Sequence, residues 1–244
     1  MTRAVAVVPA FDEAERIGDT VAGLARIPSV DEIIVVDDGS SDATAEMAAR
    51  AGALCLSLPR NMGKGDALNA GVALVRQRVT EGLISVPKAM LLADADLRGS
   101  ASNLAGLLEC LDAGRADLAV ADLPAQPGGG GFGLVKSLAA GGLRHLGGRA
   151  FLEPLSGQRA VAWPALPALL PFAPRFGVEV AMTLAALGAG LTVVEHPCEL
   201  SHRPTGRDLH GALHRGRQGV AVAAELGRFV WRSRVAGRRI IRPA

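Results

Sequence analysis

Residues 33–42 read IIVVDDGSSD, a run of four β-prone apolar residues that leads directly into acids, serines and one glycine. A continuous apolar run of this length is typical of a strand that is buried on both faces of a sheet. Gly39 permits a turn with positive φ. Residues 44–51 then show helical spacing, with Ser41 or Asp42 as the predicted N-cap. The stretch therefore predicts a strand, a tight turn and a helix in succession.

The same alternation surrounds this unit. Strands are predicted at 4–8, 53–58 and 89–93, and helices at 12–25 and 69–79. Alternating strands and helices at this spacing form right-handed βαβ units around a mainly parallel sheet, so the fold class is α/β and Rossmann-like. Polar clusters follow the strands, at the sheet edge where ligands bind in such folds.

The second half of the chain is less regular. Strands are predicted at 118–121 and 191–195, and helices at 134–146 and 178–187. Residues 160–174 contain four prolines, which predicts turns and short helices, and residues 124–133 form a flexible break rich in proline and glycine. We treat the chain as one continuous domain with halves 1–122 and 123–244.

Composition excludes several classes of protein. The 244 residues are 49% hydrophobic and only 3% aromatic, and the net charge is +2. Such a chain forms a core but lacks the basic and aromatic surface of a nucleic-acid binder. Its three cysteines form no CxxC pair, which fits a reducing cytosol. No signal peptide or membrane-spanning stretch is evident, so a cytoplasmic location is expected.

Charge is concentrated at the C-terminal end. Residues 196–244 contain ten arginines against three acids, a formal charge of +7. Such a basic helical segment suits phosphate-bearing ligands or an anionic membrane surface, including peripheral contact with the inner face of the membrane. A solvated tail helix is the alternative interpretation.

The strongest chemical signal is the segment 91–97, LLADADL. Asp94 and Asp96 leave a buried strand together, and hard cations such as Mg²⁺ or Mn²⁺ prefer carboxylate oxygens and share them with a substrate diphosphate. Surface acids or helix caps are the alternative. After the strand at 33–36, an exposed carboxylate in the segment 37–42, DDGSSD, would accept hydrogen bonds from a nucleobase or a ribose hydroxyl. A capped β-to-α turn, which Ser41 and Asp42 would form in either case, is the alternative.

Two glycine-rich segments are candidate anion sites. Residues 61–66, NMGKGD, leave the backbone and the Lys64 ammonium open to an anion, but Leu58 and Asp66 exclude a P-loop. Residues 128–133, GGGGFG, match a dinucleotide-binding fingerprint formally but follow no predicted strand. They are therefore more typical of a mobile loop that covers a bound ligand.

A third cluster lies near the C-terminus. His202 is followed by Arg203 and Arg207, and a histidine ligates metals whereas arginine forks bind phosphate oxygens in pairs. An ordinary hydrogen-bonded histidine is the alternative for His202.

Taken in order, the first-half motifs resemble the GT-A-fold glycosyltransferases of family 2. Residues 7–13 resemble the V-P-x-x-N-E strand end of that family, with Asp12 in place of Asn, and residues 35–44 resemble V-D-D-G-S-x-D-x-T. Residues 61–68 resemble N-x-G-K-G-x-A-L, and Asp94 to Asp96 stand at the D-x-D position. The resemblance implies a GT-A (nucleotide-diphospho-sugar transferase) fold.

The second half resembles the glucosyl-3-phosphoglycerate synthases. Residues 154–158 are similar to P-L-x-G-E and residues 176–179 to Y-G-V-E, and His202 stands where those enzymes have a metal-binding histidine. Gln158 replaces the Glu of the first motif and Phe176 the Tyr of the second. Polyprenyl-phosphate sugar synthases share the first half.

The resemblance implies a metal-dependent transfer of a sugar from a UDP- or GDP-sugar to a hydroxyl or phosphate acceptor such as 3-phosphoglycerate. It implies that residues 1–122 bind the nucleotide-sugar and residues 123–244 the acceptor. The residues that bind the nucleotide-sugar would be Pro9, Ala10, Phe11, Glu13, Asp38, Ser40, Gly63, Lys64, Asp94 and Ala95, and those that bind the acceptor would be Gly157, Gln158, Arg203 and Arg207. The ligands of Mg²⁺ or Mn²⁺ would be Asp94, Asp96 and His202. The catalytic residues would be Glu179, Asp96 and Lys64.

Three alternatives stay open at this point. A lipid-phosphate acceptor would make the protein a polyprenyl-phosphate glycosyltransferase at the membrane surface. A nucleotidyltransferase would carry a glycine-rich basic loop after the first strand, where this chain has PAFDE at 9–13. A non-catalytic sugar-nucleotide or lipid-phosphate binding module would lack the acceptor acid, which Glu179 supplies here. Monomer and homodimer are both compatible with the sequence.

Overall fold

The computed structural model describes residues 3–123, 133–174, 177–200 and 223–228. Within these ranges seven strands form one sheet in the order β3-β2-β1-β4-β6-β5-β7. The strands are β1 (Ala4–Ala10), β2 (Val30–Asp37), β3 (Leu54–Ser57), β4 (Ala89–Leu92), β5 (Leu118–Asp122), β6 (Arg159–Ala162) and β7 (Val193–Pro197).

The strand directions confirm a mainly parallel α/β sheet. β1 pairs in parallel with β2 and with β4, and β2 pairs in parallel with β3. β6 is antiparallel to both β4 and β5, whereas β7 is parallel to β5. The reversal at β6 matters for the site, because the segment that precedes β6 arrives at the edge where the parallel strands end.

Helices cover both faces of this sheet. They are α1 (Ala14–Ala25), α2 (Thr44–Arg50), α3 (Lys64–Thr80), α4 (Ala105–Asp112), α5 (Gly133–Gly147), α6 (Leu166–Leu169) and α7 (Val178–Gly188). Alternate residues of β1 face opposite layers, as strand geometry requires. Val5 and Val7 pack in the core that contains α3, and Ala4, Ala6 and Val8 pack in the core that contains α1.

Several predicted boundaries are wrong. The helix predicted at 69–79 begins at Lys64, and the first three residues of the stretch 160–174, where turns and short helices were expected, belong to β6. The last strand lies two residues later than predicted, at Val193–Pro197. The N-cap of α2 is Ala43 rather than Ser41 or Asp42. The helix α4 was not predicted.

Gly71 fixes how closely α3 approaches the sheet. A Cβ at this position would lie 2.5 Å from Cγ1 of Val7 and 3.2 Å from Cγ2 of Val36. Only a glycine therefore allows the helix to rest directly on the two central strands. Gly141, in the exposed face of α5, has no atom within 4 Å of the equivalent position.

We predict opposite effects of alanine at these two helical glycines. Gly71→Ala should destabilise the protein by about 1–3 kcal/mol because the added methyl group overpacks the core. Gly141→Ala should stabilise it by up to about 1 kcal/mol, since alanine is the better helix former. Thermal or urea unfolding of both variants measures the difference, and a destabilising Gly141→Ala would contradict this packing.

Candidate active site

The Lys64 ammonium lies between two carboxylates from different elements. Nζ is 2.6 Å from Oδ1 of Asp94, which follows β4, and 2.9 Å from Oε1 of Glu179, in the first turn of α7. Burial alone would lower the pKa of the ammonium, but Asp94 and Glu179 outweigh it and raise the pKa above its usual 10.5. Lys64 is therefore a fixed cation that ties α3, β4 and α7 together.

The second oxygen of Asp94 is held by Gln158. Nε2 of Gln158 donates to Oδ2 of Asp94 at 2.6 Å, and Oε1 of Gln158 accepts from Oγ of Ser156 at 3.1 Å. Both carboxylate oxygens of Asp94 thus accept hydrogen bonds from side chains. The residue predicted to bind the acceptor, Gln158, is buried and holds a D-x-D carboxylate in this arrangement.

Gly157 lets this loop reach the cluster. A Cβ on Gly157 would lie 2.3 Å from Nζ of Lys64 and 2.8 Å from each carboxylate oxygen of Asp94. Real Cβ atoms do not approach polar atoms so closely, so any other residue would displace either the loop or the lysine. Gly157 therefore has a packing role beside the predicted acceptor role.

Arg159 anchors the same loop from beneath, and the sequence analysis missed it. Its fully buried guanidinium donates to the carbonyl oxygens of Ser156 at 2.9 Å and Pro154 at 3.4 Å, and to Oγ1 of Thr183 at 2.9 Å. Thr183 in turn donates to the carbonyl of Glu179 at 3.0 Å. Burial lowers the pKa of Arg159 to about 10, which leaves it charged at neutral pH. A charged residue at the start of the apolar run RAVA was the available signal.

The loops after β1 and β2 are joined by a second set of hydrogen bonds. The Asp38 carboxylate is buried rather than exposed as expected, and its two oxygens accept from the backbone N–H groups of Met62 and Gly63, both at 2.8 Å. Oγ of Ser40 accepts from the N–H of Asp12 at 2.9 Å, and Oδ1 of Asp12 accepts from the N–H of Ser41 at 2.8 Å. The strand ends therefore form one connected edge.

Two large apolar side chains are left open at this edge. Phe11 is 44% exposed and Met62 is 41% exposed, whereas Pro9 and Ala10 are built into the end of β1. Ala10 accepts a hydrogen bond from the N–H of Asp38 at 2.8 Å. The exposed pair lies beside the Asp38 loop and provides apolar surface for a flat ligand such as a nucleobase.

Asp96 lies close to a second charged pair. Glu13 and Arg16 form an ion pair at 2.8 Å, and this hydrogen bond, with a smaller contribution from Asp96, raises the pKa of the Arg16 guanidinium. Glu13, predicted to bind the nucleotide-sugar, is thus engaged with Arg16. Ala95, which separates Asp94 and Asp96 in the sequence, is buried.

The predicted site residues are therefore brought together at one edge. Asp38 contacts Gly63, Lys64 contacts Asp94 and Glu179, and the loop bearing Gly157 and Gln158 closes over Asp94. The predicted His202, Arg203 and Arg207 lie outside the described residues, as does most of the basic C-terminal segment.

The donor set at this edge suits a hard divalent cation. Among the residues that the structure describes, no three His, Cys, Asp or Glu side chains converge on one point. Mg²⁺ usually binds through one or two carboxylates, and waters and substrate phosphates complete its shell. Asp94 and Asp96 are carboxylates of this kind, and Asp94 also accepts hydrogen bonds from Lys64 and Gln158. The arrangement therefore fits a metal that is shared with a bound diphosphate.

Comparison with known proteins identifies the family. The model of glycosyl transferase family 2 matches residues 5–156, which include the two hydrogen-bonded loops and both aspartates of the D-x-D motif. The chain belongs to this family, and its mixed α/β sheet is that of the GT-A glycosyltransferases, as predicted.

Particular relatives lie within this family. The chain is 33% identical over 197 residues to a glucosyl-3-phosphoglycerate synthase of Mycolicibacterium paratuberculosis, a match that covers 72% of this chain and 57% of that protein. It is 30% identical to the synthase of Mycobacterium tuberculosis, over 86% of this chain and 69% of the relative. The chain thus spans little more than half the length of the first of these relatives.

A solved structure extends the similarity to three dimensions. The crystal structure of the Mycobacterium tuberculosis synthase in complex with Mn²⁺, UDP-glucose and phosphoglyceric acid superposes with a TM-score of 0.72 at 26% sequence identity. The superposition covers 93% of this chain and 80% of that one. The resemblance therefore includes the second half of the chain, beyond the matched family model.

We predict that Lys64→Met destabilises the protein in a pH-dependent way. The raised pKa means that the contribution of Lys64 is fully present below about pH 10 and is lost only in strong alkali. Without the ammonium, Asp94 and Glu179 face each other, which should cost roughly 3 kcal/mol at pH 8 and less above about pH 10, where the wild type itself begins to lose the contribution of Lys64. Melting temperatures across this range measure the effect.

Arg78→Met is the matched control. Arg78 and Glu32 form an ion pair of similar exposure at 2.6 Å, away from the site, so its loss should leave nucleotide binding intact. A Lys64→Met variant as stable as the wild type at pH 8 would show that the ammonium does not hold the two carboxylates.

Proposed function

We propose that this protein is a metal-dependent glycosyltransferase that moves a sugar from a nucleoside diphosphate donor, with UDP-glucose as the first candidate, to a small phosphorylated acceptor. The observation that carries the proposal is the Lys64 ammonium shared by Asp94 and Glu179 at the ligand-binding edge of a family 2 fold. The D-x-D carboxylate of Asp94 and the carboxylate of Glu179, the candidate residue for activating the acceptor, both contact this ammonium.

The donor would lie across the joined loops at the ends of β1 and β2. The exposed Phe11 and Met62 would flank the base and ribose, and the buried Asp38 would hold the backbone at Met62 and Gly63 in place beside them. The crystal structure of the similar Mycobacterium tuberculosis synthase contains UDP-glucose, which supports uracil as the base of the donor. Lys64 and Asp94 would then flank the sugar and the diphosphate.

A divalent cation would be held by Asp96 together with the predicted His202. When bound, Mg²⁺ or Mn²⁺ supplies Lewis-acid stabilisation of the leaving nucleoside diphosphate. Asp94 keeps its contacts with Lys64 and Gln158 and orients the sugar, because both of its oxygens already accept hydrogen bonds. Asp94 would therefore contribute less to the metal than its D-x-D position implies.

Glu179 would position or deprotonate the attacking acceptor hydroxyl. Its carboxylate is buried in the first turn of α7, and it faces the D-x-D side through Lys64. The chain Arg159, Thr183 and the Glu179 carbonyl fixes the start of α7. The backbone of Glu179 is thus fixed through Thr183 and its carboxylate is fixed by Lys64. A fixed position is what a general base requires.

The acceptor is proposed to be a small phosphorylated acid such as 3-phosphoglycerate. Phosphoglyceric acid is present in the Mycobacterium tuberculosis complex, and arginine forks such as those of Arg203 and Arg207 match phosphate oxygens. The C-terminal charge of +7 favours one runner-up, a polyprenyl phosphate at a membrane surface. No helix among the described residues is long and apolar enough to cross a bilayer.

Donor and acceptor are tested separately. Thermal shift with UDP- and GDP-sugars, each with and without Mn²⁺, should show stabilisation by UDP-glucose that requires the metal. Mass spectrometry should then detect a glucosylated product with 3-phosphoglycerate. Pelleting with anionic liposomes at low salt, together with transfer to a polyprenyl phosphate, would favour the runner-up instead. Binding of the donor with no transfer to either acceptor would indicate a non-catalytic module.

We predict that Asp96→Asn lowers transfer by roughly 100-fold or more, because the metal loses its carboxylate. Asp94→Asn should lower it by roughly 10-fold or more through loss of the Lys64 contact. Initial rates at saturating Mn²⁺ measure both. Asp31→Asn, at the start of β2 and far from this edge, is the control and should keep its rate. Full activity of Asp96→Asn would exclude the proposed metal ligand.

A further inference from the structure

The turn that carries the D-x-D motif is fastened to α1 by a buried threonine. Thr20 is fully buried, and its Oγ1 donates to the carbonyl of Ala95 at 2.8 Å while it accepts from the N–H of Arg98 at 2.7 Å. These two backbone groups lie on either side of Asp96. One hydroxyl thus closes the turn from both ends.

The backbone at this turn is strained. Arg98 has a φ of +51°, a conformation that costs free energy for any residue other than glycine unless the surroundings enforce it. The N–H of Arg98 donates to Thr20 and so ties this peptide to α1. The strain therefore makes the turn dependent on the α1 side.

Neighbouring contacts of α1 support the same segment. A Cβ on Gly23 would lie 2.7 Å from the carbonyl oxygen of Arg98, so the helix backbone approaches the turn directly. The Arg26 guanidinium donates to the carbonyl of Gly99 at 2.7 Å. Thr20, Gly23 and the C-cap Arg26, three residues apart along one side of α1, thus contact residues 95–99, and among these contacts the Thr20 contact lies nearest to Asp96.

We infer that Thr20 is a positioning residue for the metal-binding carboxylate, an inference that rests on the proposed function. Ala95 and Asp96 share a peptide bond, so the Thr20 hydroxyl fixes the orientation from which the Asp96 side chain leaves the backbone. Without that hydroxyl, a buried carbonyl and a partly buried N–H lose their partner, and the turn relaxes towards other conformations. Asp96 then points at the diphosphate for only part of the time.

Two substitutions separate the hydroxyl from the shape of the side chain. Thr20→Val keeps the volume and removes both hydrogen bonds, whereas Thr20→Ser keeps the hydroxyl and removes a methyl group. Ile17→Val, a buried position one turn earlier on α1, is the control for a simple loss of packing. Each variant is compared with the wild type by melting temperature and by Mn²⁺ binding.

Binding is measured from the electron paramagnetic resonance signal of free Mn²⁺ during titration at saturating UDP. For Thr20→Val we expect the half-saturating Mn²⁺ concentration to rise by roughly fivefold or more, which corresponds to the net worth of one hydrogen bond. Thr20→Ser should stay within about twofold of the wild type by the same measure, and Ile17→Val should match the wild type even where its melting temperature falls.

The outcomes distinguish the inference from the function on which it rests. A wild-type protein that binds Mn²⁺ only with UDP, together with a Thr20→Val titration equal to it, overturns the positioning role and leaves Thr20 as a stabilising residue only. A wild type with no UDP-dependent Mn²⁺ binding overturns the proposed function as well.

A second variant covers the case in which Thr20→Val does not fold. Arg26→Met removes the hydrogen bond to Gly99 at an exposed position and leaves the core unchanged. A higher half-saturating Mn²⁺ concentration in Arg26→Met supports the dependence of Asp96 on α1. A titration identical to the wild type overturns it.

Discussion

The shared ammonium of Lys64 is the interaction on which the arrangement of the site depends. Asp94 and Glu179 arrive from the end of β4 and the start of α7, and they are brought together only because one cation lies between them. Arg159, fully buried beneath, supplies a second positive charge to the same region. Two cations thus balance two carboxylates in a partly desolvated space, and Gln158 adds a hydrogen bond without adding charge.

The topology explains how these groups meet. Parallel strands deliver their following loops to one edge of the sheet, which places Asp38 and Asp94 on the same side. The antiparallel β6 brings the loop that precedes it to that edge, so Gln158 reaches Asp94 from the opposite direction. Lys64 begins α3, whose Gly65 lies against the backbone of Ala173. Each contributor is therefore fixed by a strand end or a helix start.

The sequence was most informative where one pattern carried both structure and chemistry. Buried apolar runs predicted β1, β2 and β4, and the acids after the run of β4 predicted Asp94 and Asp96 as site residues, whereas Glu179 was implied only by the family resemblance. The partner of Asp94 was not predictable, because Gln158 lies 64 residues away and its contact depends on the direction of β6. The start of the apolar run RAVA was the available signal for Arg159, but a single arginine at such a position does not by itself indicate burial.

The early start of α3 has a similar explanation. Gly63, Lys64 and Gly65 are typical of a loop, and local propensity places the helix later. A Cβ on Gly65 would lie 1.9 Å from the carbonyl oxygen of Ala173, so this glycine serves a contact between distant segments rather than local flexibility. Tertiary packing therefore decides both the boundary of the helix and the position of the lysine.

The division of labour between the two aspartates is the central claim, and anomalous diffraction tests it most directly. Crystals grown with Mn²⁺ and UDP would be measured at the manganese absorption edge. The account predicts one peak within coordination distance of the Asp96 carboxylate, with Lys64 still between Asp94 and Glu179. A peak between Asp94 and Glu179, with the Lys64 ammonium displaced, would contradict it.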